Sequence, residues 1–120
     1  MKSILVIDDS NTIRAYLRLI LEAKGYTVIE ASNGKQGYAL FKKESPSIVI
    51  TDMLMPEMDG LEIIQRLKIE SPKTKIIAMS DGGSFQGIPF VDMCQKFGVK
   101  NFINKPIDKE LLLNLLEELY

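Results

Sequence analysis

Polar side chains follow four short strand-like stretches in this chain. Asp8 and Asp9 come after residues 4–7, Asp52 after 48–51, Ser80 after 76–79, and Lys105 shortly after 100–103. Short apolar runs bounded by turn signals read as buried strands. Open α/β folds place their ligands just beyond the carboxyl ends of such strands. The central stretch is IVITDMLMPEMDG, residues 48–60, in which Asp52 leads into a loop containing Pro56, Asp59 and Gly60. Asp52 by itself could merely cap a turn, and Asp8 and Asp9 could cap a helix. Taken together, the set points to chemistry.

Three carboxylates brought together raise one another's pKa unless a cation lies among them. Oxygen donors without histidine or cysteine suit a hard ion, Mg²⁺ or Mn²⁺. Mg²⁺ favours one or two carboxylates with water and phosphate oxygens, so Asp9 and Asp52 read as direct ligands and Asp8 as acting through water. Lys105 supplies a point charge for an anionic oxygen, and Ser80 a hydroxyl for another. The chain contains no histidine. That removes Ser-His-Asp triads, His-ligated zinc and histidine bases. A carboxylate is nonetheless already a nucleophile at neutral pH, and phosphoryl transfer needs mainly positioning and charge neutralisation.

The elements that must position these groups alternate along the chain. Strands are predicted over 3–7, 27–30, 48–51, 75–79 and 100–103. Helices are predicted up to about 24, then over 35–43, 61–70, 89–98 and 108–119. The inward stripes are Ile13, Tyr16, Leu17 and Ile20 in the first helix, Leu40 and Phe41 in the second, and Leu61, Ile64 and Leu67 in the third. Residues 80–89, with three glycines, read as a loop. Five strand–helix alternations with short connections imply a doubly wound parallel α/β sheet with five helices on two faces. If the strand order is 2-1-3-4-5, strands 1 and 3 meet where the winding reverses, and all five polar groups share one crevice.

The totals fit one domain, residues 1–120. At 120 residues, 46% hydrophobic and 26% charged, the chain has the balance of an ordinary soluble domain. A net charge of −1 argues against direct nucleic-acid binding. No apolar run is long enough for a membrane span. The opening MKSILVIDD reads as a first strand and not a signal peptide. One cysteine, Cys94, cannot form an internal disulfide and fits a reducing, cytoplasmic setting. Cys94 and Met93 read as core. The many leucines of the last helix exceed one buried stripe and leave a surface for a partner or a second copy, as in a homodimer.

The chain resembles the receiver domain of bacterial two-component response regulators, single-domain and chemotaxis-regulator-like, over its whole length. The marks are Asp8-Asp9, Asp52 with Met55-Pro56 and Gly60, Ser80, and Lys105-Pro106. The resemblance implies a flavodoxin-like fold and a phosphorylation-controlled switch. Asp52 would take a phosphoryl group from a histidine kinase or histidine phosphotransfer protein, with slow autodephosphorylation and no dedicated enzyme activity. It implies Asp8, Asp9, Asp52 and the Leu54 carbonyl as the Mg²⁺ site, Ser80 as the switch hydroxyl and Lys105 as the phosphate-sensing cation. It further implies a cis Lys105-Pro106 bond and signalling to a downstream protein through the helix 4, strand 5 and helix 5 face. Phe102 is either core or the switch aromatic. The alternative function is a receiver-like binding module that takes no phosphate. A dehalogenase-type phosphatase would need a second Asp where Leu54 stands, and a flavin carrier would need a phosphate loop where Asp8 and Asp9 stand. Two features depart from the family: Asp81 follows Ser80 where Ala or Gly is usual, and the Ser80–Lys105 spacing is longer, with the surplus assigned to residues 82–87.

Overall fold

The central strands are apolar along their length because helices cover both faces of the sheet. The computed structural model describes residues 2–55, 58 and 60–120. Its strands are β1 Ser3–Ile7, β2 Thr27–Ala31, β3 Ile48–Asp52, β4 Lys75–Ser80, β5 Ser84–Phe85, β6 Ile88–Pro89 and β7 Asn101–Asn104. Five of them form a parallel sheet in the order β2-β1-β3-β4-β7. This is the doubly wound order expected from the sequence, with β7 as the fifth strand.

Side chains alternate across this sheet. Leu5, Ile7 and Val49 join one core cluster with Phe41, Leu61, Ile64, Leu67, Phe90 and Cys94. These come from α2 Gly34–Glu44, α3 Gly60–Glu70 and α4 Phe90–Lys96. Ile4, Val6, Ile48 and Ile50 join the other cluster with Leu17, Leu21, Leu112 and Leu116, from α1 Asn11–Glu22 and α5 Lys109–Leu119. Side-chain caps start three helices. Ser10 accepts from the Ile13 amide at 3.2 Å, Asn33 from Gln36 at 2.8 Å, and Asp108 from Glu110 and Leu111 at 3.0 and 3.2 Å. Each cap satisfies amide donors that have no partner within the helix. No helix is long and apolar enough to cross a membrane among the described residues.

Three expectations need correction. Residues 80–89 are not wholly loop: Ser84 pairs with Pro89 and Phe85 with Ile88 in an antiparallel hairpin. Its turn residues, Gln86 and Gly87, both have positive φ, 51° and 82°. That matches the two-residue turn whose twist suits a hairpin, and glycine adopts it without steric cost. The Gly-rich composition masked a pairing with only two residues per strand. Pro89 therefore ends β6 and α4 starts at Phe90. Tyr16, placed inward by its spacing, is 38% exposed because Leu17, Ile20 and Leu21 fill the buried stripe of α1. Pro56 and Asp59, read as loop residues after strand 3, lie outside the described residues. Cys94 is buried, with its thiol 3.6 Å from the Met53 sulfur, and burial pushes its pKa up to about 11. The Lys105-Pro106 bond is cis, as the resemblance implied.

Candidate functional site

Strand register brings the polar residues together. Ile7 is opposite Thr51, so Asp8 and Asp52 leave adjacent strands side by side. Asp52 is opposite Met79, and Ser80 is opposite Asn104, the residue before Lys105. The crevice at these strand ends is a cavity of about 400 Å³. It is lined by Asp8, Asp9, Asp52, Leu54, Ser80 and Lys105, together with Asp81, Gly83 and Phe90.

Asp52 is 7% exposed. Its Oδ1 accepts from the Met53 amide at 2.9 Å, and Oδ2 lies 3.4 Å from the Lys105 ammonium. Gly60, at the start of α3, packs against Asp52: a Cβ there would lie 2.3 Å from the Asp52 carbonyl oxygen, so only glycine fits. Burial and the neighbouring Asp8 charge raise the Asp52 pKa, while Lys105 and the Leu54 amide oppose the rise. Asp8 is fully buried. Its Oδ1 accepts from the Ser10 amide at 2.9 Å and its Oδ2 from Lys105 at 2.8 Å. Burial pulls the Lys105 ammonium down, but its hydrogen bond to Asp8 and the charges of Asp52 and Asp8 outweigh that, and the net direction is upward.

Asp9 is exposed, and its carboxylate has no polar partner among the described residues. One carboxylate oxygen from each of Asp8, Asp9 and Asp52 lies within 4.8 Å of the others. Oxygen donors at this spacing, with the Asp8 and Asp52 carboxylates held by the backbone amides of Ser10 and Met53, fit a small hard cation. Ser80 is 4% exposed, and its hydroxyl oxygen accepts from the amides of Gly82 and Gly83 at 3.1 and 3.3 Å. The Leu54 side chain points to solvent, 69% exposed. Phe102, left open between core and switch, is half-buried against the cluster beneath α2, α3 and α4.

Sequence reasoning missed three contributors. Phe90 and Gly83 line the cavity because the hairpin returns the chain to it, and the Phe90 amide bonds to the Gly83 carbonyl at 3.0 Å. Arg14 reaches back from α1 to donate to the Asp8 carbonyl at 2.7 Å. Its signal was a cation near a helix N-terminus, where the helix dipole disfavours positive charge and a carboxylate or carbonyl partner is therefore needed.

Comparison with known proteins agrees with this geometry. A family model described as "Response regulator receiver domain" matches residues 4–117. The chain is 36% identical over 115 residues to a putative transcriptional regulator of Pseudomonas aeruginosa, covering 94% of this chain and 54% of that protein. It thus spans about half the length of that relative. It is 35% identical over 119 residues to the chemotaxis protein CheY of Listeria monocytogenes, covering 98% of both. Among solved structures, the chemotaxis protein CheY4 of Vibrio cholerae superposes with a TM-score of 0.88 at 27% identity, covering 100% of this chain and 99% of that one. With a family match running nearly from end to end and a relative matched over its own full length, the chain belongs to the response regulator receiver domain family of two-component signalling.

Proposed function

We propose that Asp52 is the phosphoryl acceptor of a signalling switch, and that residues 1–120 form one receiver domain. The observation that carries this is the Asp52 carboxylate in the crevice wall, one oxygen pinned by a backbone amide and the other facing Lys105. In the reaction an Asp52 oxygen forms a bond to phosphorus and the P–N bond of a partner's phosphohistidine breaks. The electron pair of that bond leaves on the imidazole nitrogen. The product is an acyl phosphate, and its later hydrolysis resets the switch.

The chain's own residues account for most of the need for charge control. Lys105 can shift from the carboxylates to the new phosphoryl oxygens. The Met53 amide orients the nucleophile. Asp9 and Asp52, with the Leu54 carbonyl, would hold Mg²⁺ or Mn²⁺. Asp8, whose oxygens are already bonded to Ser10 and Lys105, would act on the ion only through water. Such an ion supplies charge neutralisation to the phosphoryl group. The upward pKa shift of Asp52 makes it a more basic nucleophile than an ordinary carboxylate.

The output follows from what the new charge attracts. Among the described residues the Ser80 hydroxyl is held only by two local amides, which it would give up in moving to donate to a phosphoryl oxygen. That movement would loosen the start of the hairpin, and half-buried Phe102 on β7 would repack. The signal would leave through α4, β7 and α5, where Val91 and Leu111 are 37% and 54% exposed. The donor would be a histidine kinase or phosphotransfer protein, the receiver a downstream protein, and the setting cytoplasmic.

Incubation with acetyl phosphate and Mg²⁺ tests the reading by mass. The parent gains one phosphoryl group and Asp52→Asn gains none. Ser80→Ala remains modifiable, but the amide shifts on β7 that accompany modification shrink. A parent that gains no mass with acetyl phosphate or a phosphohistidine donor leaves the binding-module alternative, and equal gain by Asp52→Asn moves the acceptor elsewhere.

A further inference from the structure

Asp9 has no side-chain partner among the described residues to aim it, so its direction comes from its backbone. The Asp8 carbonyl and the Asp9 amide belong to one planar peptide unit. A group that holds the Asp8 oxygen therefore fixes the plane from which the Asp9 Cα, and then its carboxylate, project. Arg14 is that group: its Nη1 donates to the Asp8 carbonyl at 2.7 Å. The rest of its guanidinium is also engaged. Nε donates to Glu30 Oε1 at 3.1 Å, and Nη2 donates to the Asn11 side-chain oxygen. Glu30 on β2 is held in turn by Arg18 Nε at 2.5 Å, and these bonds to Arg18 and Arg14 keep its carboxyl below the usual range. The Arg14 side chain is 13% exposed, so the fork is fixed on three sides.

We infer that Arg14 is a positioning residue for the cation site, braced by Glu30, and that it acts on Mg²⁺ affinity through the Asp8–Asp9 peptide without touching the ion. The inference rests on the cation site proposed above. A lysine cannot replace it, because an ammonium cannot span a carbonyl, a carboxylate and an amide oxygen in one plane.

The sign of the effect separates positioning from charge. Arg14 is a cation near the site, so electrostatics alone predicts that neutralising it tightens Mg²⁺ binding. Positioning predicts the reverse. Mg²⁺ titration followed by calorimetry should show Arg14→Gln binding about tenfold more weakly, the usual scale for groups that orient a metal ligand. Arg14→Lys should also weaken binding. In an Asp9→Ala background, Arg14→Gln should change affinity little, because the group it aims is gone. If Arg14→Gln fails to fold, Glu30→Gln carries the same test, with a smaller loss that again vanishes in the Asp9→Ala background. A parent that binds Mg²⁺ beside an Arg14→Gln protein that binds equally well or more tightly overturns the inference alone. Losses that simply add to that of Asp9→Ala overturn it too. A parent that binds no Mg²⁺ overturns the cation site and this inference with it.

Discussion

The two flanks of the crevice are built differently. On the β1 side, Asp8 is bonded at its amide to Ala31, at its carbonyl to Arg14, and at its two carboxylate oxygens to Ser10 and Lys105. Two of those four partners are distant in the chain, Ala31 on β2 and Lys105 just after β7, the latter 97 residues away. On the β4 side, the Ser80 hydroxyl is bonded, among the described residues, only to the amides of the second and third residues after it. Residues 81–84 and 86–89 beyond it are exposed, with positive φ at Gly82, Gln86 and Gly87. Long-range contacts form only with the whole domain and are lost only with it. Local ones can exchange while the domain stays folded. On the function proposed above, the nucleophile Asp52 and its partner Lys105 would thus belong to the rigid flank, and the hydroxyl that would move on phosphorylation to the soft one.

The largest expected effect tests this contrast directly. Lys105→Met leaves Asp8, fully buried, beside Asp52 without their shared cation. Breaking a buried pair in this way costs about 3 kcal/mol. Ser80→Ala on the other flank should cost about 1 kcal/mol or less. Urea unfolding of both variants measures the difference, and equal losses would erase the distinction between the flanks. The Lys105 pKa is raised in the folded state, so its contribution is fully present below the ordinary lysine value of 10.5. It disappears as pH rises through the folded value. The gap between parent and Lys105→Met should therefore hold at neutral pH and close in strong alkali.

A smaller effect of opposite sign is expected at Asp52. Burial and the Asp8 charge disfavour its ionised form, even against Lys105. In the absence of divalent cations, Asp52→Asn should therefore be more stable than the parent, on the order of 1 kcal/mol, or roughly 4 °C in Tm. Because the folded pKa is raised, the unfolded chain ionises first as pH climbs. The advantage is absent below the ordinary value of 3.8, grows from there to the folded value, and is complete above it. Thermal melts at pH 3 and pH 7 without metal check this. An advantage equal at both pH values would remove charge as its cause.

The rigid flank was the more legible in sequence. Asp8, Asp9 and Asp52 could be placed because each follows a continuous run of apolar or β-branched residues whose end is easily read, and Lys105 because it follows the last predicted strand; strand register does the rest. The sheet order followed from the alternation and from the convergence of those ends. Arg14 escaped because its contact with the site is to the Asp8 backbone carbonyl, which residue type does not mark; its place near a helix N-terminus showed only that it needed some partner. The hairpin escaped for a different reason: two residues per strand produce no alternation to detect. Ser80 was found, but the amides that hold it belong to glycines whose conformations appear only in the fold. Tyr16 shows the limit of periodicity itself, since helical spacing offered it a buried stripe that three better-placed aliphatics already fill.

Asp81 sharpens the contrast at its finest scale, because it adds a carboxylate to the soft flank. It is exposed, yet it lines the crevice with Asp52 and Lys105. An incoming phosphodonor is anionic. Placed about 7 Å from a carboxylate at an effective dielectric of about 20, it would be repelled by roughly 2 kcal/mol. Water and salt reduce that to well under half at an exposed position. A residual of about 0.7 kcal/mol still corresponds to a rate factor of roughly 3. Asp81→Ala should therefore speed phosphorylation by acetyl phosphate about threefold at low salt, with the advantage fading as salt rises. Gly82 and Gly83 bear on the size of the effect. If they let the loop carry the Asp81 carboxylate into solvent, the gain disappears. Initial rates for both proteins, measured by mass at low and high ionic strength, separate the cases. An Asp81→Ala protein that reacts no faster than the parent at low salt would show that the soft flank already removes this charge from the donor's path.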